Sequence, residues 1–213
     1  MARDDRARTY DTLSRWYSLM AEPSEGPLRR ECLDMLHLQP GEAVLEIGSG
    51  PGADLPAMAE RVGSTGVVWG LDLSRRMLRV CVRGLRGRPE QHRIRPIQGD
   101  GLRLPCRANA FHALLLSFTL ELFEEQESLL VLRETARVLR PGGRLGVVCL
   151  SNRHPDELAT RLYWRAHRAC PSLIDCRPID APAILEANGY RLVHTVERSM
   201  WGIRATVLVA CRT

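Results

Sequence analysis

The chain has 213 residues, of which 45% are hydrophobic and 26% charged, and its formal net charge is +5. A chain of this length builds one or two well-packed domains, and its longest nearly unbroken apolar run, residues 110–120, falls well short of the about 20 residues that a membrane-spanning helix needs. All 30 basic residues are arginine, which excludes Schiff-base chemistry, a lysine general base and a phosphate-binding P-loop.

In chain order, Met1-Ala-Arg-Asp-Asp-Arg6 is charged with no apolar stretch behind it, so no secretory leader is expected. Tyr10, Leu13, Trp16, Tyr17 and Met20 recur at helical spacing and predict an amphipathic helix. A second helix, about Pro27 to Leu38, places Leu28, Cys32, Met35 and Leu36 on one face and stops at Gln39-Pro-Gly41. Beyond it, strands and helices alternate. The expected strands are Ala43 to Gly48, Gly66 to Leu73, Arg93 to Gln98, Ala110 to Phe118 and Arg144 to Leu150. The helices among them are Ala53 to Val62, Met77 to Leu85 and Glu125 to Leu139. Such alternation implies right-handed crossovers and an α/β architecture, a doubly wound and mainly parallel sheet. A last helix, about Ala181 to Asn188, leads into strands Tyr190 to Arg198 and Arg204 to Arg212. The stretch Ser199-Met-Trp-Gly-Ile203 is too short for a parallel crossover, so these two strands are antiparallel neighbours. The sheet, seven strands in all, is expected to end in a reversed strand. With no repeat, low-complexity tract or linker, one domain with an N-terminal helical cap is the economical organisation.

The most informative segment is Val44-Leu-Glu-Ile-Gly-Ser-Gly-Pro-Gly52, which runs from a strand into a helix. In a doubly wound sheet that turn lies at the carboxyl ends of the strands, where ligands bind, and glycine lets a ligand approach the backbone. Two ligands suit it. Gly48-x-Gly50-x-x-Ala53, with Asp72 about twenty residues on, fits a dinucleotide fingerprint. Against that, Glu46 suits a ligand ammonium better than a pyrophosphate, and Pro51 and Gly52 crowd the helix start that a pyrophosphate would need. Gly99-Asp-Gly101 adds a second acidic site after the third strand. The seven cysteines (Cys32, Cys81, Cys106, Cys149, Cys170, Cys176 and Cys211) are scattered and form no C-x-x-C pair. Neither a metal site nor a disulfide scaffold is indicated, and a reduced, cytoplasmic chain is expected.

Five segments together resemble the class I S-adenosylmethionine-dependent methyltransferases in order and spacing. They are Glu46-Ile-Gly-Ser-Gly-Pro-Gly52, Gly70-Leu-Asp-Leu-Ser74, Gly99-Asp-Gly-Leu-Arg-Leu-Pro105, Phe111-His-Ala-Leu-Leu-Leu-Ser-Phe118 and Leu139-Arg-Pro-Gly-Gly-Arg144. Tyr10-Asp-Thr-Leu-Ser-Arg-Trp-Tyr17 resembles the N-terminal segment of the ubiquinone/menaquinone-biosynthesis C-methyltransferase type. The resemblance implies a Rossmann-like fold in which 41–150 is the cofactor-binding core, capped by 1–40, and 151–213 supplies the substrate side and the terminal strands. It implies S-adenosyl-L-methionine as cofactor, leaving as S-adenosyl-L-homocysteine. Glu46, Gly48, Ser49, Gly50 and Gly52 would form the loop around its methionine part, and Asp72 would accept both ribose hydroxyls, as a carboxylate can. Leu73 and Met77 would pack on the adenine, Asp100 would take its amine, and the Gly101 amide would meet a ring nitrogen. Ser117 and Phe118 would sit beside the sulfonium and the acceptor.

In-line transfer from a sulfonium needs alignment above all, and a base only if the acceptor must lose a proton. His154, just after the fifth strand, is the best-placed base, ahead of His167 and Glu121. Tyr17, with Tyr10 and Trp16, offers aromatic faces that stabilise a cation; the same residues would equally serve as a packed helix face. The acceptor is expected to be a small apolar or aromatic metabolite, with homodimerisation left open. The rival is RNA, tracked by Arg75, Arg76, Arg79, Arg83, Arg86, Arg88, Arg93 and Arg95, a stripe that solvation alone also explains. Ser117-Phe-Thr-Leu120 lacks the tetrad that resembles base-amino methylation, and Pro105-Cys106 lies before the fourth strand rather than after it. A cofactor-binding protein without turnover is the third alternative.

Overall fold

In the computed structural model, residues 24–153, 161, 163, 165, 176–200 and 202–213 are described. The helix expected around Tyr10 to Met20 lies outside them, as do His154, His167 and Cys170. Seven strands form one sheet: β1 (Ala43–Ile47), β2 (Val67–Asp72), β3 (Ile94–Gln98), β4 (Phe111–Ser117), β5 (Leu139–Leu150), β6 (Tyr190–Met200) and β7 (Ile203–Arg212). Their order is β3-β2-β1-β4-β5-β7-β6, with the first five parallel and β7 antiparallel to both its neighbours. The chain order thus reverses between β1 and β4, the point where doubly wound sheets open a crevice for ligands.

The central strands read as apolar runs because both faces are covered. Val44, Val68 and Leu115 point to one face, and Leu45, Ile47, Leu71, Leu114 and Leu116 to the other. Among the described residues, α1 (24–35), α2 (Leu55–Arg61) and α3 (Arg75–Leu85) cover the first face. Helix α1 buries Leu28, Cys32 and Leu33, and α3 buries Met77, Cys81 and Leu85 at four-residue intervals. The opposite face carries α4 (Glu125–Val138), with Val131, Leu132 and Val138 buried, and α5 (Ala181–Ala187), with Ala181 and Leu185 buried. Short 3-10 turns lie at Pro89–Arg93 and Leu120–Leu122, so the third strand begins at Ile94 rather than at Arg93.

Two further details depart from the sequence reading. The reversed strand is not at the end of the sheet: β7 fills the gap between β5 and β6, and β6 forms the edge. The reason is in the side chains. Ala205–Ala210 is buried throughout, whereas β6 offers Arg191, His194 and Arg198 to solvent, and charge is what an edge strand tolerates. Strand β5 also begins at Leu139, not Arg144. Leu139 pairs with Phe111 and Arg144 with Ala113, so Pro141-Gly-Gly143 bulge out between them. His112 neither enters the core nor packs on a helix. Its Nδ1 accepts the Ala43 N–H at 3.0 Å and its Nε2 meets Arg140 at 2.6 Å, at the end of the sheet away from the crevice.

Candidate functional site at the glycine bend

The chain leaves β1 by turning back over β2. Gly48 N–H and Ser49 N–H both donate to the Leu71 carbonyl, at 2.8 and 3.0 Å. Gly50 N–H donates to Asp72 Oδ2 at 2.7 Å, and Ser74 N–H donates to Asp72 Oδ1 at 2.8 Å. Ser74 then caps α3 by accepting the Met77 N–H at 3.2 Å. One carboxylate at the end of β2 therefore ties the glycine bend to the head of the next helix. Gly48 and Gly50 both have positive φ, +74° and +52°, where side chains are strained. They differ in what lies above them. A Cβ on Gly48 would stand 2.4 Å from Thr119 Oγ1, so the protein itself fills that side. A Cβ on Gly50 would meet nothing within 4 Å. Space at Gly50 is open to a ligand.

Around the bend lie buried polar atoms with no hydrogen-bond partner among the described residues: Glu46 Oε2, Ser49 Oγ and Ser117 Oγ. Such groups are costly unless something completes them. Glu46 is 3% exposed, and its carboxyl is pushed well above the usual carboxylate range. Burial is the main cause and the nearby Asp54 adds to it; Arg29 opposes the shift, and Asp72 reinforces it. Cys81, beneath the bend on α3, has its thiol raised to about 11 by burial, with Glu46 and Asp72 adding to the effect.

The second acidic loop follows β3. Gly99 N–H donates to the Asp72 carbonyl at 3.1 Å, so the two loops meet. Asp100 Oδ1 accepts the Leu102 N–H at 2.9 Å. Gly101 is buried against Ile47 and Phe123, and a Cβ there would stand 3.3 and 3.2 Å from them. Leu73, at the rim, is 40% exposed, whereas Met77 is buried. Ser117 ends β4 one place beyond the Leu116–Ile47 pair. Phe118 follows with φ +46°, and its ring is buried in the core cluster under α1, α2 and α3.

Residues 44–143 match the family model of the methyltransferase domain. The chain is 32% identical over 139 residues to demethylmenaquinone methyltransferase from Anoxybacillus flavithermus, an alignment covering 65% of this chain and 56% of that protein. The domain match, over just under half of the chain, and this relative support a class I S-adenosylmethionine-dependent methyltransferase. It spans little more than half the length of the relative it matches. A methyltransferase from Aquifex aeolicus shares the fold at a TM-score of 0.65 and 20% identity, covering 86% of this chain and 89% of that one. The cyclase SpnF shares it at 0.68 and 21%, covering 86% and 80%. The dinucleotide reading of the bend gives way.

The residues at the bend fit S-adenosylmethionine, the cofactor of the methyltransferases that the chain resembles. Open space lies over Gly50, and buried acceptor and hydroxyl groups at Glu46, Ser49 and Ser117 await partners. Tyr17 and His154 fall outside the described residues. Sequence reasoning missed Thr119, which seals Gly48, and Phe123, which covers Gly101. It also missed Arg29. Arg29 sits in an ordinary amphipathic helix pattern, and only the fold brings it to Asp54 at 3.0 Å.

Proposed function

We propose that the chain transfers a methyl group from S-adenosylmethionine to a small apolar or aromatic acceptor. The observation behind this reading is the set of buried, uncompleted groups around the open Gly50 backbone, Glu46 above all. When bound, the cofactor supplies a methyl already activated on a positively charged sulfur. Glu46 takes the ammonium end. Asp72 spends one lone pair of each oxygen on the backbone of Gly50 and Ser74, and a carboxylate oxygen retains capacity for a ribose hydroxyl. Asp100 and the Gly101 amide hold the adenine edge, with Leu73 and Met77 against its faces.

The chain's remaining task is to place the acceptor in line with the methyl, and correct placement alone removes about 7–11 kcal/mol of barrier. Ser117 borders that position, and Phe118 does so only through its backbone, because its ring is packed in the core under α1, α2 and α3. Because positive charge vanishes as the methyl moves, aromatic faces such as Tyr17, each worth about 0.5–2 kcal/mol, suit the site better than an ion pair. His154 is the base where the acceptor must lose a proton. We also assign the chain to the reducing cytoplasm, which its scattered thiols suit. Among the described residues, no helix is long and apolar enough to cross a membrane.

Demethylmenaquinone, named by the similar proteins, is the first acceptor to assay. RNA stands as the second reading, because none of Arg75, Arg76, Arg79, Arg83, Arg86, Arg88, Arg93 and Arg95 has a carboxylate partner among the described residues. Label transfer from methyl-labelled cofactor to demethylmenaquinone, to metabolite extract and to total RNA decides between them. Label in a small molecule alone supports the proposal, label in RNA replaces it, and label in none leaves a cofactor-binding protein without methyl transfer.

A further inference from the structure

Arg29, on α1, is 7% exposed. Its Nε lies 3.2 Å from Asp54 Oδ1 and 3.0 Å from Asp54 Oδ2, and its Nη1 lies 3.2 Å from Glu25 Oε2. Glu25 and Asp54 are each 8% exposed, so the whole group is buried. Asp54 sits at the head of α2, directly after the glycine bend. Glu46 lies two places after Val44 on β1, on the sheet face that α1, α2 and α3 cover. Among the described residues the charged or titratable groups that act on its carboxyl or respond to it are Arg29 on α1, paired with Glu25; Asp54 at the head of α2; Asp72 at the end of β2; and the Cys81 thiol on α3. Arg29 is the cation among them.

We propose that Arg29 is a positioning residue of the cofactor site: clamped between Glu25 and Asp54, it keeps Glu46 available as the anion that receives the cofactor's ammonium. The inference rests on Glu46 taking that end of the cofactor. Carboxylates buried on one face of the sheet stay ionised away from water only where a cation offsets them. Asp54 therefore acts in two opposed ways. It holds Arg29 in place, and it presses directly against a charge on Glu46. Removing the Arg29 charge leaves Glu46 holding its proton at a pH where the native site is anionic. Removing the Asp54 charge does the reverse. A clamp that served packing alone would show no such difference in sign.

The test is S-adenosylhomocysteine binding, measured by calorimetry from acid to neutral pH, below the range near about 8 where an α-amino group loses its proton. The native protein should lose affinity on the acid side as Glu46 takes a proton. Arg29→Gln should move that acid limb to higher pH, Asp54→Asn should move it to lower pH, and Glu46→Gln should abolish it. A limb displaced by about one pH unit changes affinity about tenfold on its slope. Arg29→Gln takes the cation from between two buried carboxylates and is the variant most prone to misfold. Asp54→Asn keeps the Arg29–Glu25 pair, and its direction of shift alone decides the matter if Arg29→Gln is lost. Uniformly weaker binding with an unmoved limb, or a limb that persists in Glu46→Gln, overturns the proposal. A native protein that fails to bind at any pH removes the cofactor site and this inference together, an outcome distinct from either of those.

Discussion

Asp72→Ala tests the core of the site. The carboxylate accepts two backbone N–H groups, from Gly50 at 2.7 Å and from Ser74 at 2.8 Å, and in the proposed complex it accepts ribose hydroxyls as well. Hydrogen bonds to a charged acceptor contribute about 1.5–3 kcal/mol each. Losing two to the ribose therefore weakens binding by at least about 3 kcal/mol, which is on the order of a hundredfold. The two backbone bonds add a separate cost to stability, which water partly recovers because Asp72 is only half-buried. Calorimetric titration with S-adenosylhomocysteine reads the first effect, and thermal unfolding without ligand reads the second. Asp72→Asn serves as the control: it keeps the shape but turns an NH2 toward a backbone N–H, so it should also lose affinity. Near-native affinity in a folded Asp72→Ala protein would refute the ribose assignment.

Gly48→Ala and Gly50→Ala should separate fold from function. Both are strained by about 1–2 kcal/mol, but only the first drives a Cβ to 2.4 Å from Thr119 Oγ1, so it should lower thermal stability much more. Gly50→Ala should stay folded and lose ligand affinity; the opposite ranking would contradict the open cleft over Gly50. Replacing Arg79, Arg83 and Arg86 together by Gln should leave cofactor binding intact, since none lies at the bend. If RNA is retained at about 0.15 M salt by the native protein and lost in the triple variant, the stripe is a nucleic-acid surface. Glu134 accepts Arg137 Nε at 2.7 Å and the Leu104 N–H at 2.8 Å, and chiefly the arginine holds its carboxyl below the ordinary value of 4.5. A depressed native value means stability present above the unfolded pKa and lost as pH falls through the native one. Glu134→Gln should cost about 1 kcal/mol at neutral pH, given partial exposure, and flatten the acid limb of denaturation; an unchanged limb would show that the pair contributes nothing there.

Most of the sheet is legible from the sequence because each central strand is an apolar run bounded by turn residues. Glu125–Val138 and Arg75–Leu85 announce themselves by period. The glycine bend and its two acidic loops are legible for a related reason: their residue types are demanded by local backbone geometry, as with Asp72 bonding to Gly50 and Ser74. The position of β7 depended on a comparison of neighbours. Ala205–Ala210 is more uniformly apolar than β6, and that contrast marks an interior strand and its edge. Period alone shows two strands and their antiparallel pairing; only the relative polarity of the two places one inside the other.

Charge partners at a distance are the hardest feature to foresee, and Arg29 shows why. Helical spacing puts Glu25 and Arg29 one turn apart, which on a surface helix describes a minor solvent-facing ion pair worth little. Here α1 lies flat on the sheet, with Leu28, Cys32 and Leu33 sealing the core beside that pair. The same burial that makes α1 part of the core takes its ion pair out of water, next to the bend and to Asp54, 25 residues away in sequence. In the proposed arrangement the Arg29 charge then opposes the burial and the Asp54 charge that push the Glu46 carboxyl up. The chemistry of the bend is thus shaped by a helix that none of the five motif segments includes, and any engineering of its cofactor affinity must treat α1 as part of the site.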